Sequence, residues 1–211
     1  YYYCVVTQSG LNCMTTSSIA TIQVIPQPTI DSNPIVSQEV CVGGILDSLK
    51  VSYLNGLGKV SYQWYEDTLG INSGGLLLVG DTFSSFLPQT NIVGIKYYYC
   101  EISFSLGGCT NVMSDVSKVT VRPDPIIQTN LSSQTICVGG TIDSALTANY
   151  SGGVGSPSYQ WNKDGINLPN DTLSSYLPPS FNFLDTFNFG VTISLSGKGC
   201  NAVSAQIQTV N

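Results

Sequence analysis

The most reactive side chains in this 211-residue sequence are its seven cysteines, at positions 4, 13, 41, 100, 109, 137 and 200. Thiols can ligate metals, act as nucleophiles or oxidise to disulfides. The chain contains no histidine. That excludes His-containing zinc sites and any Ser-His-Asp or Cys-His nucleophile. No Cys-x-x-Cys occurs, so disulfides formed in an oxidising compartment fit the thiols best. The odd count leaves at least one Cys unpaired or bonded to something outside these residues. The 13 acidic residues are scattered over turns. A glycosidase needs two converging carboxylates. Glu66 and Asp67 are neighbours, but the corresponding later segment offers Asn162 and Asp164, so these read as solvated loop charges. No Asp-x-Asp-x-Asp-Gly calcium loop is present. No catalytic residue, cofactor site or metal ligand is assigned, and the chain reads as non-enzymatic.

The elements carrying the cysteines repeat, and repeats govern the rest of the reading. Tyr1-Tyr-Tyr-Cys4 recurs as Tyr97-Tyr-Tyr-Cys100, and Cys41-Val-Gly-Gly44 as Cys137-Val-Gly-Gly140, each 96 residues on. Cys13 and Cys109 each follow the preceding Cys by nine residues. Tyr62-Gln-Trp64 recurs as Tyr159-Gln-Trp161, 97 on, and Thr82-Phe-Ser-Ser-Phe-Leu-Pro88 as Thr172-Leu-Ser-Ser-Tyr-Leu-Pro178, 90 on. The seven-residue difference is a loop of variable length on a fixed scaffold. Pro26-Gln-Pro28 and Pro123-Asp-Pro125 are matching stiff linkers. The expected organisation is the end of one module (1–26) followed by two whole modules (27–122 and 123–211). The Tyr1 start, without Met, and the strand-like end read as an internal piece of a longer polypeptide.

Charged residues make up 9% of the chain and apolar ones 42%, with a net charge of −6 and only 7 Lys and Arg. An average soluble protein carries roughly 25% charged residues. Too few cations are present to neutralise a phosphate backbone, so nucleic acid is excluded as a partner, and an anionic membrane surface with it. No apolar run is long enough to insert into a bilayer. Two-residue alternation recurs in Leu49–Tyr53, Val60–Trp64, Tyr98–Phe104 and Val119–Val121. Gly and Asn clusters punctuate these runs, and no helical period appears. The fold expected is all-β, antiparallel, without substantial helix.

Tyr62-Gln-Trp64, Ser84-Ser-Phe-Leu-Pro88 and Tyr97-Tyr-Tyr-Cys100 resemble strands C, E and F of an immunoglobulin-like β-sandwich. The resemblance implies tandem sandwich domains. It places Trp64 and Trp161 in the core, and Tyr98 two residues before the F-strand Cys100. In the last module it aligns Phe187-Asn-Phe189-Gly190 with Tyr-Tyr-Tyr-Cys, which puts Asn188 at the Tyr98 position. Three disulfide arrangements are open. The favoured one is within modules: Cys137–Cys200, the only two cysteines of the last module, and by analogy Cys41–Cys109, with Cys100 a buried thiol beside Trp64. Its weakness is that the A–B corner and the F–G loop lie at opposite ends of a sandwich. The alternatives are a bridge across the junction, Cys41–Cys200, and F–G hairpin staples, Cys100–Cys109 and Cys4–Cys13.

Taken together, Cys-x-Gly-Gly, Tyr-Gln-Trp, Tyr-Tyr-Cys, Gly-Cys and Pro-x-Pro are similar to the tandem repeats of giant cell-surface adhesins of gliding Bacteroidota, exported by the type IX system. That resemblance implies an extracellular, outer-membrane-associated filament used in attachment and gliding. Asp47-Ser48-Leu49, Asp67-Thr68-Leu69, Asp143-Ser144-Ala145 and Asp171-Thr172-Leu173 resemble the O-glycosylation motif of such proteins, which makes Ser48, Thr68, Ser144 and Thr172 candidate glycan carriers. Asn130-Leu-Ser132 and Asn170-Asp-Thr172 fit the N-glycosylation pattern. Partners expected are neighbouring modules of the same chain and a surface glycan or protein. The alternative function is a ligand-binding module pair that uses loops 66–80 or 162–170.

Overall fold

A computed structural model of the chain describes residues 1–10, 13–128 and 134–210, the last five by backbone alone. Asn130-Leu-Ser132 lies outside the described residues. No helix occurs among the described residues. The first hairpin joins β1 (Val5–Gln8) to β2 (Cys13–Thr16), with Val5 opposite Thr16 and Gln8 opposite Cys13.

The second module contributes β3 (Thr29–Ser32), β4 (Ser37–Cys41), β5 (Leu49–Lys50), β6 (Ser52–Leu54), β7 (Val60–Asp67), β8 (Leu76–Leu77), β9 (Ser85–Phe86), β10 (Gly94–Phe104), β11 (Val112–Met113) and β12 (Ser117–Arg122). One sheet runs β4-β12-β10-β7-β8, with β11 also on β10. Facing it are the β3–β6 and β5–β9 pairs. One pair departs from the antiparallel expectation, because β4 runs parallel to β12, from Ser37 opposite Lys118 to Cys41 opposite Arg122. The cause is local. Pro34, which has no N–H to offer a ladder, lies between β3 and β4. There the chain crosses from one sheet to the other without reversing.

Inward-facing residues of the two sheets alternate with polar ones, as sandwich packing requires. Trp64 is fully buried among Leu49, Phe86, Tyr98, Cys100, Ile102 and Val119. Its indole N–H donates to the Phe83 carbonyl at 2.9 Å, so the one polar atom of the ring is satisfied.

The third module contributes β13 (Ile126–Ile127), β14 (Leu146–Thr147), β15 (Tyr150–Ser151), β16 (Pro157–Lys163), β17 (Ile166–Asn167), β18 (Ser175–Tyr176), β19 (Phe187–Leu195) and β20 (Val203–Val210). Its main sheet is β17-β16-β19-β20, faced by the β13–β15 and β14–β18 pairs. Trp161 is fully buried among Leu146, Phe189, Val191 and Ile193, and donates to the Leu173 carbonyl at 2.9 Å.

Candidate functional site, the junction between modules

Cys41 closes β4 opposite Arg122, where the chain leaves the second module. Cys200 closes the turn between β19 and β20 of the third. These two cysteines are disulfide-bonded to each other, 159 residues apart in sequence. Further contacts cross the same junction. The Cys41 N–H donates to the Lys198 carbonyl at 3.0 Å. Lys198 Nζ donates to Asp47 Oδ2 at 2.9 Å. Gly44 and Gly199 meet backbone to backbone: a Cβ on Gly199 would overlap the Gly44 Cα, and a Cβ on Gly44 would lie 2.8 Å from the Lys198 carbonyl oxygen. Only glycines permit this approach.

The linker fixes the turn from the other side. Asp124, the middle residue of Pro123-Asp-Pro125, accepts from the Asn201 side-chain amide at 2.7 Å and from its backbone N–H at 3.2 Å. Gln27, the middle residue of the earlier linker, accepts from the Thr110 N–H at 3.0 Å. Each Pro-x-Pro therefore caps the residue after a Gly-Cys turn of its own module. The turn then faces back along the linker toward the preceding module.

This geometry replaces the favoured within-module pairing. Cys41 lies at the exit end of its sandwich, while Cys109 lies beside the linker at the entry end. In the third module Cys137 is exposed, and its own Cys200 is bonded to Cys41. The hairpin staples are not formed either. Cys100 points into the core opposite Trp64, away from the half-buried Cys109. Cys4 pairs through its backbone with Ser17, and Cys13 stands opposite Gln8.

The register also shifts one assignment. Trp64 stands opposite Cys100, and Trp161 opposite Val191. Val191 thus occupies the Cys100 place, and Phe189 occupies that of Tyr98, not Asn188 as the alignment suggested. The ring contacts agree. Phe86 lies 5.5 Å from Trp64 and 5.2 Å from Tyr98, and Tyr176 lies 5.7 Å from Trp161 and 5.8 Å from Phe189. Counting nine residues back from Cys200 finds the same register in the sequence.

Sidekick-1 immunoglobulin domains 1–5 superpose with a TM-score of 0.51 at 16% identity, over 99% of this chain and 45% of that one. Rst D1-D2 superposes with a TM-score of 0.50 at 17% identity, over 86% of this chain and 98% of that one. The fold is that of tandem immunoglobulin-like domains. The chain spans about half the length of the multi-domain structures it matches first, 53% and 45%. No protein-family model matches the sequence, and no curated protein matches it.

Within the immunoglobulin-like frame, loop 66–80 is anchored at two points. Asp67 is buried, and its carboxylate accepts from the Ile71 and Leu69 N–H groups, both at 2.9 Å. The Ile71 hydrogen bond is the main reason its pKa is held below the ordinary 3.8, against an opposing desolvation. Asp67 is therefore a turn anchor and not a solvated charge. The Gly75 N–H donates to the Tyr99 hydroxyl at 2.9 Å. Along this loop Leu69, Leu76 and Val79 are exposed. Glu66 accepts from Lys96 at 2.9 Å and from the Tyr98 hydroxyl at 3.4 Å. In the third domain Lys163 takes the Glu66 place and lies 3.6 Å over the Phe187 ring, so an ion pair gives way to a cation–π contact.

Of the candidate glycan carriers, Thr68, Ser144 and Thr172 are exposed and Ser48 is half-buried. Thr82, absent from the sequence-based set, occupies the same place as Thr172. Each donates its N–H two residues back, at 3.0 and 3.1 Å, beside the carbonyl that caps the tryptophan. Among the described residues no three metal-ligating side chains cluster. No helix among them is long and apolar enough to cross a membrane.

Proposed function

We propose that the chain is a non-enzymatic stalk segment of a large extracellular repeat protein, divided at residues 26/27 and 122/123. The junction carries this reading. A covalent bridge, an ion pair and a backbone hydrogen bond all act between the same two domains, and the linker cap holds the inserted turn in place. A module pair built only to hold a ligand has no use for so many constraints on the angle between its members. A stalk does, because its reach depends on that angle.

The finer reading is a segment of a cell-surface adhesin of the gliding Bacteroidota type, exported by type IX secretion and decorated with sugar at Thr68, Ser144 or Thr172. It rests on the repeat motifs and on the exposure of those hydroxyls. A second reading, ligand capture by loop 66–80, is favoured by the exposed Leu69, Leu76 and Val79.

Small-angle X-ray scattering on the intact chain tests the stalk. The oxidised protein is expected to fit one extended shape, and Cys41→Ser is expected to broaden the distribution of interdomain angles. If the oxidised chain itself requires a wide spread of angles, the stalk reading fails. Peptide-mapping mass spectrometry of the native protein checks for sugar masses. A glycan or peptide array checks the loop.

A further inference from the structure

The Cys41-Val-Gly-Gly44 turn and the Cys137-Val-Gly-Gly140 turn have the same local structure. Gly44 donates to the Cys41 carbonyl and Gly140 to the Cys137 carbonyl, both at 2.9 Å. Gly43 donates to Thr90 at 2.9 Å, and Gly139 to Phe181 at 2.6 Å, each bond holding the turn to the segment after Leu-Pro. Asp47 and Asp143 each follow their cysteine by six residues.

The turns differ in what covers them. Cys41 is 0% exposed, Gly44 is buried and Val42 packs on the core. Cys137 is exposed and Val138 is 55% exposed. The complementary turns differ in the same way. Gly199 abuts the Gly44 backbone, whereas a Cβ on Gly108, the residue before Cys109, would meet nothing within 4 Å.

We propose that the Cys137 turn is the receiving half of a second junction. Its occupant is the Gly-Cys turn of a following immunoglobulin-like module of this kind, joined through a Pro-x-Pro linker. By the same geometry Cys109 is the inserting half for a preceding module. Covalent bridges then run from each module to the next, and none lies within a module. This deepens the stalk reading, on which it rests. The bridge forms by exchange with a small-molecule or protein disulfide. The Cys137 thiolate attacks one donor sulfur and releases the first donor thiolate. The incoming Cys thiol, after losing its proton, attacks the Cys137 sulfur of the mixed disulfide and releases the second. Two cysteine thiols are oxidised and one donor disulfide is reduced to two thiols.

The test extends the full chain with a second copy of residues 123–211. Thr209 stands opposite Asn188 as Lys118 does Tyr97, and Val210 opposite Phe187 as Val119 does Lys96, so Val121-Arg122 are inserted after Asn211 to bring Pro123 into phase. The added copy brings Cys200 to meet Cys137 and Lys198 to meet Asp143. The protein is refolded in oxidised and reduced glutathione, alkylated and digested with trypsin without reduction. The C-terminal Gly199–Asn211 peptide is unique to the added copy. It is expected to be linked to the peptide carrying the first Cys137, alongside the original Cys41–Cys200 link, with Cys109 alkylated. Cys200→Ser in the added copy is expected to make the first Cys137 fully alkylatable while the Cys41 link persists.

That persistent link reports folded neighbours. With it present and Cys137 alkylated in the unsubstituted protein, the proposal is overturned. Links from Cys137 to its own module's Cys200, or between separate chains only, overturn it as well. These outcomes leave the scattering test of the stalk untouched.

Discussion

Opposite each core tryptophan stands one small side chain, Cys100 in the second domain and Val191 in the third. The thiol there serves as an apolar group. Burial pushes its pKa from 9.0 up to about 12. The unfolded chain ionises near the ordinary value, so the folded state binds the extra proton between the two. The stability involved is intact below about pH 9 and is lost as pH rises through the folded value. Cys100→Val, the side chain the third domain already uses, is expected to change stability at pH 7 by less than about 1.5 kcal/mol. It should also flatten the decline from neutral to alkaline pH. Urea unfolding at pH 7 and pH 10.5 checks both, and an unchanged alkaline decline refutes the assignment. Tyr98, whose hydroxyl is also raised by burial and then by Glu66, keeps part of that decline in the variant. Asp67 works with the opposite sign. Its carboxylate anchors the loop above its ordinary pKa, and the anchor is lost as pH falls through the lowered one. Asp67→Asn is expected to speed amide exchange at Leu69 and Ile71 at neutral pH, read by hydrogen-exchange NMR. At this scale Trp64, Trp161, Tyr98 and Cys100 were legible because their types and spacing are local. Asn188 was misplaced because the loop-length offset between repeats changes from 90 to 91 before the F strand.

The variable loop shows how an element can change without disturbing its neighbours. In the third domain β16 turns into β17 through Asp164-Gly165, both residues in the left-handed region at φ of 51° and 81°. Asp-Gly is favoured at such a two-residue hairpin. The second domain joins the same strands through the longer loop anchored at Asp67 and Tyr99, and β8 is the edge strand that results. Turn chemistry also decides the junction. Gly199 and Gly108 both carry positive φ, at 75° and 65°. Either alanine substitution therefore meets the backbone penalty of about 1 kcal/mol. Only Gly199→Ala also collides with Gly44. Its yield of the Cys41–Cys200 bridge on oxidative refolding is expected to fall several-fold, while Gly108→Ala keeps the parent yield. Counting alkylated thiols by mass spectrometry distinguishes them. The Lys198–Asp47 pair, 56% and 67% exposed, stabilises far less. Asp47→Ala is expected to cost under about 1 kcal/mol.

For the whole molecule, the bridge closes a loop of 159 residues. The chain-entropy model gives such a closure about 5 kcal/mol. Cys200→Ser is therefore expected to lower the calorimetric midpoint of the domain pair and to separate one coupled transition into two. Cys109→Ser should leave the thermogram unchanged. An identical thermogram for Cys200→Ser would mean that the domains unfold independently of the bridge. The sequence alone determined the strands, the repeat, the paired tryptophans and the Pro-x-Pro linkers. Each depends on alternation, turn residues or spacing within a few dozen positions. Tertiary structure alone decided which cysteines meet. The pairing depends on which ends of two folded sandwiches face each other, and on a glycine-to-glycine approach across the junction. Those distances exist only after both domains have folded and the linker has fixed their order in space.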